Sequence, residues 1–263
     1  MRHYLHYTAL FAIAFITAFT LTALPREASA TLTAKANHDD IKIDFFYNGS
    51  TVSVRGISDP GVDLVIKITS TEGHQVLKKK GKAGGFMWMN VGDLKLENVP
   101  NLYLLTGTKK VEEVLSPAEA DANVIGYPAL EKHVELSPAA DGAEKSKWFG
   151  EFLKFKENSN LYHTASGDVK LENKDGKQSY YTLFQWPYQA APGDYVVTVY
   201  AVKDGKVVEK AESKVLVEQV GSVKFLANMA KNQAAVYGIL SILAAIGAGF
   251  GVGLIFRKGG GAH

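Results

Sequence analysis

The sequence predicts a mainly β exported domain, an immunoglobulin-like β-sandwich with a helical insertion, followed by a C-terminal transmembrane α-helix. Three observations predict it. Short stretches of alternating apolar and polar residues recur with turn signals about every 8–12 residues, the spacing of sandwich strands. Helical spacing replaces this alternation only around residues 108–158. Both ends of the chain carry long apolar stretches without charge. Of the 263 residues, 46% are hydrophobic and 21% charged, which excludes a disordered chain.

The N-terminal stretch reads as a secretory signal over residues 1–30. Arg2 starts it, residues 7–24 are apolar, Pro25 breaks the helix, and Ala28-Ser29-Ala30 supplies the small-x-small pattern of a signal peptidase site. Cleavage after Ala30 is the expectation, and an uncleaved signal anchor is the rival; both export the chain from Thr31 onward. Residues 31–40 read as a polar, mobile leader.

Within residues 41–218 the strands come in order. Ile41, Ile43 and Phe45 share a face, Asn48-Gly49 is a turn signal, and Val52 and Val54 continue on a second strand. Asp59-Pro60-Gly61 marks a turn before Leu64, Ile66 and Ile68. Residues 75–80, 86–90, 94–96 and 102–105 read as further short strands. Residues 110–115 have helical spacing, and 116–143, with Pro117, Pro128 and Pro138, read as loop. Residues 144–157 form an amphipathic helix with Trp148, Phe152 and Phe155 at i, i+4 and i+7. Strand character returns at 169–171, 179–186, 195–202 and 206–217. Asp204-Gly205 is a two-residue hairpin signal, and Pro192-Gly193-Asp194-Tyr195 has the form of a tyrosine corner, which would place Tyr195, Val197 and Val199 in the interior. One sandwich is favoured over two small domains split near Pro138.

Residues 219–233 read as a juxtamembrane helix continuous with the span Ala234–Phe256. About 23 residues at 1.5 Å each cross the hydrocarbon core. Arg257 and Lys258 come directly after it, and the positive-inside rule places them and the tail 257–263 in the cytoplasm. Small residues pattern this helix: Ser241, Ala245, Gly249 and Gly253 recur every four positions, and Gly247 and Gly251 add a GxxxG pair. Such residues let helix backbones approach closely in lipid, so the expected partners are the bilayer and either a membrane protein or a second copy.

The order of these pieces resembles the bacterial transmembrane family Alph_Pro_TM. The resemblance rests on residues 45–56 with 61–68, Gly85-Phe86-Met87-Trp88-Met89-Asn90, Val99-Pro100-Asn101-Leu102-Tyr103, residues 148–162, Pro192-Gly193-Asp194-Tyr195, and the terminal helix ending in Arg257-Lys258. It implies a single-pass inner-membrane protein with a periplasmic domain, associated with sulfite-exporter-like permeases. It brings no catalytic signature and no family active-site residues.

Composition and motifs narrow the chemistry. Zero cysteines exclude a disulfide scaffold, a zinc-thiolate site and a thiol nucleophile. Setting aside Arg2, Arg26, Glu27, Arg257 and Lys258 from the 29 basic and 27 acidic residues leaves the middle with one net negative charge, so nucleic acid is not an expected partner. His38-Asp39-Asp40 reads as solvated rather than metal-binding, and no GxSxG or HExxH occurs. Glu112-Glu113 do not face each other on a helix. Lys78-Lys79-Lys80 with Lys82 reads as protection of an edge strand. Met87 and Met89, sharing a face opposite Trp88, read as core rather than as thioether ligands. No cofactor and no metal site are expected. The function these readings favour is a non-enzymatic, membrane-anchored periplasmic module that accompanies a membrane partner; the alternative is a periplasmic ligand- or metal-binding sensor.

Overall fold

The computed structural model describes residues 31–257, apart from 38–39, 139–141 and 175. Ala28 and Ala30 of the cleavage site, and Lys258, lie outside the described residues. The strands are β1 (Lys35–Ala36), β2 (Asp40–Ile43), β3 (Ser50–Ser58), β4 (Asp63–Ser70), β5 (Glu72–Ala83), β6 (Met87–Pro100), β7 (Tyr103–Gly107), β8 (Glu135–Ser137), β9 (Tyr162–Thr164), β10 (Lys170–Lys174), β11 (Lys177–Trp186), β12 (Gly193–Lys203) and β13 (Lys206–Gln219). The helices are α1 (Val111–Val114), α2 (Pro117–Ala122), α3 (Tyr127–His133), α4 (Gly142–Asn158), α5 (Gly221–Asn232) and α6 (Ala234–Arg257).

Sheet A has the order β1-β3-β11-β10 and sheet B the order β2-β13-β12-β4-β7-β9. Early and late strands therefore interleave in both sheets. β4, for example, lies between β12 and β7, pairing Ile68 with Val197 and with Leu104. The alternating residues predicted to point inward do so: Leu64, Ile66, Ile68, Tyr195, Val197 and Val199 are all at most 1% exposed. Trp186 of sheet A meets Tyr195 of sheet B edge-on at 4.8 Å between ring centroids. The Tyr195 hydroxyl donates to the Ala191 carbonyl four residues upstream, which is the tyrosine-corner geometry. Asp204 and Gly205 both take positive φ, 51° and 78°, as a primed hairpin turn requires.

Helices α1–α4 cover the outer face of sheet B. For this reason all five residues of β7 are buried rather than alternating. Tyr103 points outward from β7, accepts from the Gly126 amide and donates to the Val124 carbonyl, tying the sheet to the segment between α2 and α3. Its ring packs with those of Tyr127 and Tyr162. Sheet C (β5-β6-β8) is a long hairpin with one short partner strand, and its Leu94, Leu96 and Leu136 join the core.

Several expectations are corrected. Residues 31–40 are not a mobile leader along their described length: Leu32 and Ala36 are buried, β1 pairs with β3, and the Leu32 amide donates to Glu209. A Cβ on Gly56 would collide with the Thr33 carbonyl and the Tyr180 hydroxyl, so glycine at 56 permits this docking. Asn48-Gly49 lies in the connection between β2 and β3, which join different sheets. β2 pairs in parallel with β13 in sheet B while β3 enters sheet A, so the turn carries the chain between sheets. The short strands expected over 75–96 are two long ones of 12 and 14 residues. The expected loop 116–143 contains α2, α3 and β8. Ser116 caps α2 by accepting from the Glu119 amide, and Pro117 and Pro128 sit in first turns, where a missing N–H costs nothing. The amphipathic helix forms as α4, but its inward face is Phe149, Phe152 and Lys156, and Phe155 is half exposed. The juxtamembrane helix begins at Gly221 and is not continuous with the span, because Gln233 leaves helical geometry (φ −137°, ψ 50°).

Candidate functional site

Three features outside the core could carry function: the terminal helix, an open cleft, and the tip of the β5–β6 hairpin. In α6, Ala234–Phe256 is one apolar helix of 23 residues, long enough to cross a membrane, and none of it is buried among the described residues. Ser241, Ala245, Gly249 and Gly253 all lie on this helix and are exposed. The Ser241 hydroxyl donates to the Tyr237 carbonyl at 2.8 Å, so it is satisfied within the helix and presents a small, smooth surface. Gly249 and Gly253 form a shallow groove walled by Ile246, Phe250 and Leu254. Gly247 and Gly251 are two positions off this stripe, roughly 160° around the axis, and make a separate small-residue pair. Arg257 is the last residue of α6.

The cleft, of about 550 Å³, opens between the end of β11 and the β7–β9 side of sheet B. Thr106, His163, Asp168, Trp186 and Gln189 are among its lining residues. Three buried polar atoms of these residues, Thr106 Oγ1, Trp186 Nε1 and Gln189 Oε1, have no hydrogen-bond partner among the described residues. Sequence reading did not point to this cleft, because its residues come from distant strands that only sheet pairing brings together. Among the described residues no group of three or more His, Asp and Glu converges on a metal position. His38 and Asp39 lie outside the described residues, and Asp40 begins β2.

The hairpin tip overturns another expectation. Met87 and Met89 are not core: they are 56% and 48% exposed, beside Phe86 at 81% and Trp88 at 66%. The lysines of β5 lie on an edge strand, since among the described residues β5 pairs with β6 alone. Lys78 is paired with Asp93 at 2.7 Å, and Lys79 lies over the Trp148 ring at 4.6 Å, bracing the hairpin against α4. Gly84 and Gly85, both at positive φ, turn the chain directly before this Phe-Met-Trp-Met run.

Two lysines that carry no local sequence signal are drawn into the fold, Lys156 buried and Lys67 half-buried. Lys156 is 1% exposed, donates to the backbone and side-chain oxygens of Asn101 at 3.1 and 3.0 Å, and lies beside the rings of Phe152 and Tyr162. Lys67 donates to the Asn123 carbonyl at 2.6 Å and lies under the helical layer. Burial lowers both amines to about 8; the nearby Lys210 adds to the effect at Lys67. Each clamps a loop carbonyl and neither faces the cleft, so their role is structural.

No curated protein matches the chain. Residues 31–258 match the family described as "Putative transmembrane protein (Alph_Pro_TM)", which takes in the β domain, the helical layer and the apolar terminal helix together. The chain therefore belongs to the Alph_Pro_TM transmembrane family.

Proposed function

We propose that this protein is a non-enzymatic, single-pass inner-membrane module whose domain lies in the periplasm, whose tail lies in the cytoplasm, and whose terminal helix docks a membrane partner. The observation that carries the reading is α6: a bilayer-length helix left uncovered by the other described residues, with a Gly249–Gly253 groove on one side. A multi-pass permease of the sulfite-exporter type or a second copy would fill that groove. The tyrosine corner at Tyr195 supports an immunoglobulin-like sandwich, a common scaffold for interaction domains.

One experiment tests orientation and docking together. A membrane-impermeant amine-reactive crosslinker applied to intact spheroplasts should label lysines of the domain and capture a partner. Gly249→Leu and Gly253→Leu should abolish the captured species while preserving insertion, since leucine is at least as favourable in lipid. Unlabelled domain lysines reject the periplasmic orientation. Captured species unchanged in both variants reject the helix as the docking face.

The cleft favours a second reading, a ligand-binding periplasmic domain. Its unpartnered Trp186 N–H and Gln189 carbonyl suit a small polar molecule offering both an acceptor and a donor. Native mass spectrometry of the full chain released from membrane nanodiscs should then show a small adduct that Gln189→Leu loses. Identical spectra for the two proteins, with no adduct, remove this reading.

A further inference from the structure

The strand registers bring every route toward the membrane to one end of sheet B. β13 ends at Gln219 and leads through α5 to the span. Val215 of β13 pairs with Tyr195 at the start of β12, and Tyr195 pairs with Ser70 at the end of β4. One residue, Thr71, separates β4 from β5, and β6 returns to β7, whose Tyr103 pairs with Thr69. Both feet of the β5–β6 hairpin therefore stand at the end of the sheet from which the membrane helix departs. β2 reaches the same end in parallel with β13, and the turn after it exposes Phe45 and Phe46 (71% and 86%). The opposite end carries the Asp204–Gly205 turn and no comparable apolar group among the described residues.

The hairpin runs roughly 35 Å at about 3.4 Å per residue. β8 supports it at Lys95–Glu97, and among the described residues its distal half has no third strand. That half is two-faced. Cross-strand partners share a face, and Ala83 pairs with Met87 and Gly81 with Met89, making one face apolar. Lys82 pairs with Trp88, its amine 5.7 Å from the indole centre, and Lys80 pairs with Asn90 on the other face. Residues 78–93 hold four lysines against a single aspartate.

We propose that the β5–β6 hairpin is a second membrane contact: its Phe86–Met89 tip enters the interfacial layer of the bilayer that α6 crosses, and Lys80 and Lys82 bind anionic headgroups. The chemistry matches layer by layer. Aromatic and thioether side chains at the tip suit the headgroup–acyl boundary, and cationic side chains just above suit a negatively charged lipid surface. A lysine-rich β5 edge also opposes strand addition by a second copy, because two such edges would bring like charges together. The inference rests on the single-span reading of α6 and is independent of what fills its glycine groove.

The chain has no cysteine, so single labels can be placed cleanly. Full-length Met87→Cys and, as control, Asp204→Cys would carry an environment-sensitive fluorophore in vesicles of phosphatidylcholine with phosphatidylglycerol. The label at 87 should shift to the blue and be quenched by a lipid-borne quencher, and the label at 204 should stay aqueous. Lys80→Gln and Lys82→Gln should each lower the equilibrium constant between lipid-bound and free hairpin by roughly fivefold, the worth of one lysine near an anionic surface. A label at 87 that remains open to aqueous iodide overturns the proposal. So does a label shielded from iodide but untouched by the lipid quencher, because that outcome places a protein or a second copy on the tip. Neither result depends on the crosslinking of α6, so the two readings fail separately.

Discussion

Tyr195→Ala is expected to lower the stability of the domain by about 3–5 kcal/mol, the range for truncating a buried aromatic. That is a large share of the roughly 5–15 kcal/mol that holds a typical domain together. Tyr195 is 1% exposed, its ring closes against Trp186 across the two sheets, and its hydroxyl holds the chain at Ala191 just before β12 turns into the sheet. Truncation would open a cavity at the junction of sheets A and B and release that turn at the same time. Tyr195→Phe separates the two effects, because it keeps the packing and loses only the hydrogen bond, a cost of about 1 kcal/mol. Thermal or urea unfolding of the full chain in detergent measures both. A melting curve for Tyr195→Ala that overlays the parent's would contradict the packing described here.

The second large effect is a stability maximum at alkaline pH. Lys156 and Lys67 titrate near 8 in the folded chain against 10.5 in an unperturbed one. Between those values the unfolded state binds more protons than the folded state, so stability rises with pH. For Lys156, which is almost fully buried, the charge opposes folding at neutral pH by on the order of 3 kcal/mol, and this opposition fades above 8. Buried phenols act in reverse. Burial raises Tyr195 and Tyr200 from 10.0 to about 12 and drives Tyr103 and Tyr162 higher still. Above about 10 the unfolded chain loses phenolic protons that the folded chain keeps, and stability falls. The melting temperature should therefore climb from about pH 7.5 to about 9.5 and then decline. Lys156→Met, which keeps the apolar stem and removes the charge, should flatten the climb. A melting temperature that is level or falling across that interval, unaltered by Lys156→Met, would show that Lys156 is not held in a desolvated site.

Local signals determined much of this protein. Period-two alternation marked β4, β11, β12 and β13, because a strand with one face toward a core writes that face into every second residue. Asp204-Gly205 marked its hairpin through backbone conformation alone, and the charge-free run from Ala234 to Phe256 marked a span through length and solvent preference. Pro192-Gly193-Asp194-Tyr195 even indicated which tyrosine would anchor the sandwich, since the corner is closed within a few residues of chain.

Tertiary structure decided what depends on residues far apart. Whether Asn48-Gly49 closes a hairpin or crosses between sheets turns on the pairing of β2 with β13, which is distant in sequence, and no local pattern encodes that choice. The burial of Lys156 depends on Asn101 meeting α4, and the cleft exists only where β11 approaches β7. The Met87-Trp88-Met89 run shows the limit most sharply. Apolar composition says that a side chain leaves water if something covers it, but not whether anything does. In this fold the first half of the hairpin lies against the core and the second half extends past it, so the same kind of residue is buried at Leu94 and Leu96 and exposed at Met87 and Met89. Hydrophobicity is a property of the residue and can be read from the chain; cover is a property of its neighbours and is supplied only by the fold.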